Sequence, residues 1–259
     1  MAFTQDVSSW SGLSTANPHT LNHTCGSNAK LLVLNIFIGG KTARTGADPT
    51  YGGIPFTKID SYASGETGNE MWYLVNPSSG TYQISVGNTG ARRIALTAIS
   101  FNASTGAIIT LDASSRRSAT TANPSTNITT NYPNEVIVQH WSSGLNTIKG
   151  TPTGVKIVLC DVGNYGTASQ YLLTTDATTY SVGWSGVATS DDYILINAAF
   201  REYIPLSITP VFKYWDGTQW VEAKAGSIKY WDGASWQVVK AGAMKVYIDG
   251  EWKIVQFNG

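Results

Sequence analysis

Short apolar stretches rich in Val, Ile, Thr and aromatic residues recur along the chain, each closed by Gly, Pro, Asn or Asp. No sustained i, i+3, i+4 apolar pattern with capping residues interrupts them, so the periodicity predicts strands and not helices. The predicted strands are Leu31–Ile38, Ile54–Tyr62, Glu70–Val75, Thr81–Val86, Arg93–Phe101, Ala107–Leu111, Glu135–Trp141, Val155–Cys160, Tyr171–Thr175, Tyr180–Trp184 and Tyr193–Phe200. Turn clusters such as Tyr51-Gly52-Gly53, Asn76-Pro77-Ser78-Ser79-Gly80 and Asn88-Thr89-Gly90 separate them. Tyr82, Ile84 and Val86 alternate with Gln83 and Ser85, the period of a half-buried strand. Leu31–Val33 is apolar at every position, as in a strand covered on both faces. Many short strands divided by such turns predict an all-β fold, an antiparallel β-sandwich spanning residues 1–205.

The pattern changes at Pro205-Leu206-Ser207-Ile208-Thr209-Pro210, which reads as a stiff connector over 206–211. Beyond it, 212–259 is an internal repeat. Lys213, Lys229 and Lys245 recur every 16 residues, as do Trp220, Trp236 and Trp252. Asp216-Gly217, Asp232-Gly233 and Asp249-Gly250 lie between aromatic-rich runs, so each unit is a predicted β-hairpin. A two-residue turn at Asp216-Gly217 would set Lys213 opposite Trp220, with the ammonium stem on the indole. In the third unit Asp-Gly falls one position later, and the same turn would pair Tyr247 with Trp252. Either the register differs there or the first two loops are longer. One hairpin cannot bury its own aromatic face, so the three should stack on each other, on the sandwich or on other chains. Tyr214, Trp215, Trp220, Tyr230, Trp231, Trp236, Tyr247 and Trp252 are the candidate assembly or glycan-contact residues. Their rings suit either a packed core or exposed platforms for sugar faces.

The 259 residues carry 17 Lys+Arg and 17 Asp+Glu, formal net charge +0. That balance excludes a broad electrostatic footprint for nucleic acid or an anionic membrane. Charged residues are 13% of the chain, about half the usual share, while 42% is hydrophobic, enough for a core. No apolar run reaches the ~18 residues of a membrane span. Met1–Trp10 has neither a basic n-region nor an apolar h-region, so no signal peptide is expected, and synthesis is expected in the cytosol. Cys25 and Cys160 form neither a disulfide framework nor a CxxC site, and read as free, half-buried thiols.

Candidate chemistry is sparse. His19 and His23 have the i, i+4 spacing that would face one metal on a helix, but Pro18 and the surrounding Asn and Thr make that segment loop-like. His140, beside Trp141 in a strand, reads as a satisfied polar residue. Gly163-Asn164-Tyr165-Gly166 is a turn without the helix and Lys of a phosphate loop, and Gly12-Leu13-Ser14 does not complete a nucleophile elbow. Asp191-Asp192, or Glu66 with Glu70, could contribute to a Ca²⁺ site, though without a ligand-rich loop. Arg92-Arg93 and Arg116-Arg117 fit solvated strand edges or subunit contacts. The expectation is a non-enzyme with no catalytic residues, no cofactor and no metal.

Tyr51-Gly52-Gly53-Ile54-Pro55-Phe56-Thr57 followed by Glu70-Met71-Trp72-Tyr73-Leu74-Val75-Asn76-Pro77-Ser78-Ser79-Gly80-Thr81 resembles a pattern of jelly-roll domains in bacteriophage virion proteins and some bacterial surface proteins. The Lys-Tyr-Trp-Asp-Gly-x-x-Trp units resemble C-terminal repeats of siphophage minor tail and fibre proteins. Similar hairpins occur in choline-type cell-wall-binding repeats, but here the period is shorter and the flanking Gly-Trp is missing. The resemblance implies a jelly-roll-like sandwich carrying three hairpin repeats, in a structural protein of a tailed-phage virion or phage-like particle: a tail fibre, a tail-tip or spike component, or a head fibre or decoration. Its partners would be itself, as a homotrimer, other virion proteins and host surface polysaccharide. The alternative from a different class is a monomeric carbohydrate-binding module of a surface or cell-wall-associated protein.

Overall fold

The computed structural model describes residues 3–40, 42–144, 150–162, 165–187, 192–204, 213–215, 218, 220–222, 229–231, 236–238, 245–248 and 251–254. The predicted connector 206–211 lies outside the described residues. The chain divides into two compact units, Met1–Ile204 and Pro205–Gly259. The described residues are all-β and contain no helix, hence none long and apolar enough to cross a membrane.

Nine strands make the first half of the larger unit: β1 (Thr4–Trp10), β2 (His19–Cys25), β3 (Ala29–Gly39), β4 (Thr50–Tyr51), β5 (Ile54–Pro55), β6 (Thr57–Ser64), β7 (Thr67–Val75), β8 (Gly80–Val86) and β9 (Arg93–Asn102). They form one sheet in the order β1-β9-β3-β7-β6 and a second in the order β2-β8-β4-β5, all antiparallel. Eight more follow: β10 (Ile108–Thr120), β11 (Ser125–Thr129), β12 (Val136–Ser143), β13 (Thr151–Pro152), β14 (Val155–Val162), β15 (Tyr165–Leu173), β16 (Thr179–Ser185) and β17 (Asp192–Tyr203). Their orders are β10-β17-β12-β15-β14 and β11-β16-β13. The second half therefore repeats the first in strand order, with β13 standing where β4 stands and no strand standing for β5 among the described residues. The sequence expectation is an antiparallel β-sandwich over 1–205; the larger unit, Met1–Ile204, is all-β and β-sandwich-like, with a duplicated strand order that the sequence reading did not include.

The duplication extends to irregularities. In both halves the first strand slips register just after equivalent residues, Gln5 in β1 and Leu111 in β10, and the bulge begins with an aspartate, Asp6 or Asp112. The backbone N–H of Gly26 donates to Asp6 Oδ2 at 2.8 Å, and that of Asn131 donates to Asp112 Oδ2 at 2.8 Å. Each bulge thus aims a carboxylate at the turn after the second strand. A second bulge follows Lys58 in β6 and Lys156 in β14, at Ile59 and Ile157.

Alternation sets the layers. Leu32, Leu34, Ile36 and Ile38 of β3 meet Ile84, Val86 and Tyr51, closing the first core. Leu31 and Val33, on the opposite face, meet Phe101, Val136, Val138, Ile196 and Phe200, so the two five-stranded sheets pack on each other. Ile137 and Ala199 turn to Ile128 and Val182 in the outer layer of the second half. Continuous apolarity at Leu31–Val33 thus reflects burial on both faces, each such side chain contributing about 1.5–3 kcal/mol. The central contact is two-fold in character: Tyr73 packs on Phe200 and its counterpart Tyr171 on Phe101, both at 5.4 Å between ring centroids.

Several sequence expectations are corrected. Ile54–Tyr62 is not one strand, because Phe56 breaks it into β5 and β6 of different sheets. The predicted Ala107–Leu111 strand runs on through Arg116-Arg117 to Thr120. His19–His23 is strand β2, not loop, since it pairs with β8 along its whole length.

The smaller unit contains three two-stranded antiparallel ladders: β18 (Lys213–Trp215) with β19 (Trp220–Glu222), β20 (Lys229–Trp231) with β21 (Trp236–Val238), and β22 (Lys245–Ile248) with β23 (Glu251–Ile254). Lys213 pairs with Glu222 and not with Trp220, because four residues separate Trp215 from Trp220. Tyr247 pairs with Trp252 across Asp249-Gly250, and Ile248 with Glu251. The first two loops are therefore longer, and all three ladders keep one register.

Candidate functional site

The sequence candidates of the smaller unit fall on its paired strands. Trp215 stands opposite Trp220, Trp231 opposite Trp236 and Tyr247 opposite Trp252, so each ladder sets an aromatic pair at the same step of the 16-residue repeat. Tyr214 stands opposite Val221 and Tyr230 opposite Gln237. The turn glycines Gly217 and Gly233 lie outside the described residues.

In the larger unit, the histidines singled out in the sequence are held structurally. His19 Nε2 lies 2.8 Å from Ser11 Oγ. His23 Nδ1 lies 2.9 Å from Ser9 Oγ, its Nε2 3.2 Å from Ser100 Oγ, and Ser100 donates to Asp6 Oδ2 at 2.8 Å. The order differs from a nucleophile–base–acid relay, because Asp6 grips Ser100 and not the imidazole. Burial pushes the His23 pKa down to about 4, too low for an efficient base near neutral pH. His140, buried against Ser169 and Thr167, is pushed down to about 3 by the same cause. Cys25 is buried rather than half-buried, and desolvation raises its thiol, disfavouring the reactive thiolate. The side chain of Cys160 lies outside the described residues.

The carboxylates considered for Ca²⁺ divide. Glu70 is committed to Arg44, whose Nη2 and Nε lie 2.9 and 3.3 Å from Glu70 Oε2, and that oxygen also accepts from Trp72 Nε1 at 2.9 Å. It is a structural ion pair and not a ligand in waiting. Asp191 and Gly163-Asn164 lie outside the described residues. Among the described residues no group of three or more His, Cys, Asp or Glu is placed to hold a metal. The basic pairs act locally: Arg116 bridges to Asp60 at 3.0 Å, joining the two halves, Arg117 donates to Ser125 O at 2.8 Å, and Arg92 donates to Thr42 Oγ1.

A different corner gathers exposed aromatic and charged groups. The Arg201 guanidinium lies 3.8 Å from the Tyr132 ring centroid and 5.1 Å from that of Tyr203, and its Nε donates to Thr110 Oγ1 at 3.0 Å. Tyr132 and Tyr203 remain 42% and 40% exposed, and Ile108, paired with Tyr203 across the strands, 41%. Asp112 lies at the rim, accepting from Asn131 N and from Asn131 Nδ2 at 3.1 Å. Behind it Glu135 is buried within hydrogen-bonding reach of Asp112 and of the Tyr132 backbone. Two facing acceptors need a donor between them, and burial, reinforced by the Asp112 charge, raises the Glu135 pKa to about 8. A proton on Glu135 is thus placed where it can be donated to Asp112.

No protein-family model, curated protein or solved structure matches the chain. The internal duplication supplies its own comparison. Arg201 occupies the place of Asn102, because the partner of Arg201 in the register, Thr110, corresponds to Thr4 opposite Asn102. Counting along the equivalent segments, Tyr203 stands for Ser104, Tyr132 for Ser27 and Glu135 for Lys30. Sequence reasoning missed this corner because its members are scattered over 90 residues of chain with no spacing signal. The repeated Thr-x-Asp of Thr4-Gln5-Asp6 and Thr110-Leu111-Asp112 was the one available pointer.

Proposed function

We propose that this chain is a non-enzymatic structural protein of a tailed-phage virion or phage-like particle, in a tail fibre, a tail-tip or spike, or a head fibre or decoration. It assembles with copies of itself, most simply as a trimer, and touches host surface glycan. The observation that carries the reading is the shared register of the three C-terminal ladders, which sets an aromatic pair at each 16-residue step. A two-stranded ladder is too small to bury its own aromatic face, so repetition in register favours stacking among hairpin repeats or across copies. The sheet orders of the first half, β1-β9-β3-β7 and β2-β8-β4-β5, support a jelly-roll topology for the body. A balanced, low charge suits assembly through complementary surfaces rather than through electrostatic capture.

Light scattering of the full chain at micromolar concentration, followed by terminus-labelled electron micrographs of the source particle, tests the reading. A stable symmetric oligomer located on the particle supports it. A monomer with glycan affinity and no place on a particle overturns it in favour of a carbohydrate-binding module.

A further inference from the structure

We propose that Tyr132, Arg201 and Tyr203, with Asp112 at the rim, form a binding site for a neutral pyranose residue of a glycan. The inference rests on the glycan contact in the proposed function and assigns it to the larger unit rather than to the C-terminal aromatic repeats.

The first half serves as an internal control. It builds the equivalent corner, with the same bulge and an aspartate reaching the following turn in the same way, from Ser27, Lys30, Asn102 and Ser104. The fold therefore does not require large aromatic groups there. In the second half all four positions change together, to Tyr132, Glu135, Arg201 and Tyr203. Two rings are left about two-fifths exposed, an unfavourable use of aromatic surface unless something covers it.

The chemistry selects the occupant. Partly exposed tyrosine rings offer flat faces to the C–H groups of a sugar, while their edges keep a polar handle. Arg201 is held over two rings with its Nε engaged by Thr110, which fixes the direction of its fork before any ligand arrives. Asp112, fixed by Asn131, supplies an acceptor near those donors. A vicinal pair of sugar hydroxyls both donates and accepts, matching one carboxylate and one guanidinium. The charges of Arg201 and Asp112 balance, so a neutral sugar suits the site better than a charged one. A hydrophobic peptide would leave the free N–H groups of the Arg201 fork and the remaining acceptor positions of Asp112 unpaired, at about 1–3 kcal/mol for each group desolvated unpaired.

Calorimetric titration of the full chain with cellohexaose, maltohexaose and N-acetylchitohexaose, each to about 10 mM, tests the site across the affinities of weak ligands. At least one probe should bind. Tyr203→Ala and Arg201→Gln should each weaken binding about tenfold or more, the scale of one lost stacking or charge-assisted contact. Tyr203→Phe should retain the affinity, and its unchanged urea midpoint would show that the corner remains folded. Binding unaffected by Tyr203→Ala but lost in Trp220→Ala would overturn this site while keeping the glycan contact of the proposed function. No binding of any probe would overturn the pyranose assignment. A chain that binds through Tyr203 yet stays monomeric and off the particle would instead sink the proposed function alone.

Discussion

Replacing Glu70 by leucine should be among the most damaging single changes in the larger unit. Arg44 and Glu70 have side chains only 3% and 2% exposed, and their closest approach is 2.9 Å. Arg44 also donates through Nη1 to Ala47 O at 2.9 Å and Gly87 O at 2.6 Å, tying the loop before β4 to the end of β8. That loop closes where Gly46 approaches Gly87 so nearly that a Cβ on Gly46 would lie 2.7 Å from the Gly87 carbonyl carbon. Removing the carboxylate strands a buried guanidinium, for which about 3–5 kcal/mol is expected, and Arg44→Met should cost a similar amount by stranding Glu70. The double variant holds no buried charge. Its remaining deficits are the Trp72 indole N–H without its acceptor and Gly87 O without this donor, about 1–3 kcal/mol each. The double variant should therefore be more stable than the sum of the singles implies, by at least about 2 kcal/mol. Urea unfolding of the four chains with unchanged slopes measures this coupling. Additivity within about 0.5 kcal/mol would refute the reasoning, because it would mean that the pair is screened by water and holds nothing in common.

Other expectations follow from the same contacts. Tyr73→Ala and Tyr171→Ala, equivalent across the central interface, should each destabilise by about 2–4 kcal/mol, and unequal urea midpoints would argue against a two-fold contact. His23 and His140 resist protonation when folded, so the unfolded chain takes up more protons below about pH 6.5; stability should fall from there toward pH values of about 4 and 3, respectively, a decline that His23→Gln should reduce. Glu135 has the opposite sign: its contribution is complete below its unfolded pKa near 4.5 and is lost as the pH rises to about 8, so Glu135→Gln should flatten that alkaline loss, and an equally steep profile would refute the assignment. Trp220→Ala or Trp236→Ala should lower the oligomer mass in light scattering, and an unchanged mass would remove the assembly role of the repeats.

What the sequence discloses depends on burial. β3 is legible because the middle layers bury both its faces, leaving a run from Leu31 to Ile38 in which Asn35 is the one polar residue. β1 (Thr-Gln-Asp-Val-Ser-Ser-Trp) and β2 (His-Thr-Leu-Asn-His-Thr-Cys) are not, because β1 is an edge strand and β2 spends its inward positions on His19, His23 and Cys25. The end of β10 was hidden by Arg116-Arg117, whose charges suit a sheet edge rather than a strand centre. The duplication left only short echoes: Thr-x-Asp, Lys58-Ile59 with Lys156-Ile157, and Tyr73-Leu74 with Thr81-Tyr82 recurring as Tyr171-Leu172 with Thr179-Tyr180. These persist because they serve bulges and the inter-half contact, while surface positions between them are unconstrained. The Tyr132, Arg201 and Tyr203 corner was illegible because it exists only after folding.

A pair of sheets that meet face to face within one chain escapes two demands placed on a dimer of separate molecules. Their association is intramolecular, so it does not weaken as the protein is diluted. Nor must the surface remain self-complementary, since a substitution enters on one side alone. Asn35 of β3 and His140 of β12 occupy equivalent places in that contact, yet they differ, and both reach the same hydroxyl, Ser169 Oγ. In a true homodimer the two sides would carry the same residue at such equivalent places. Covalent fusion has let one half of this contact become polar in its own way, and has left the outer corners of the two halves free to take on different work.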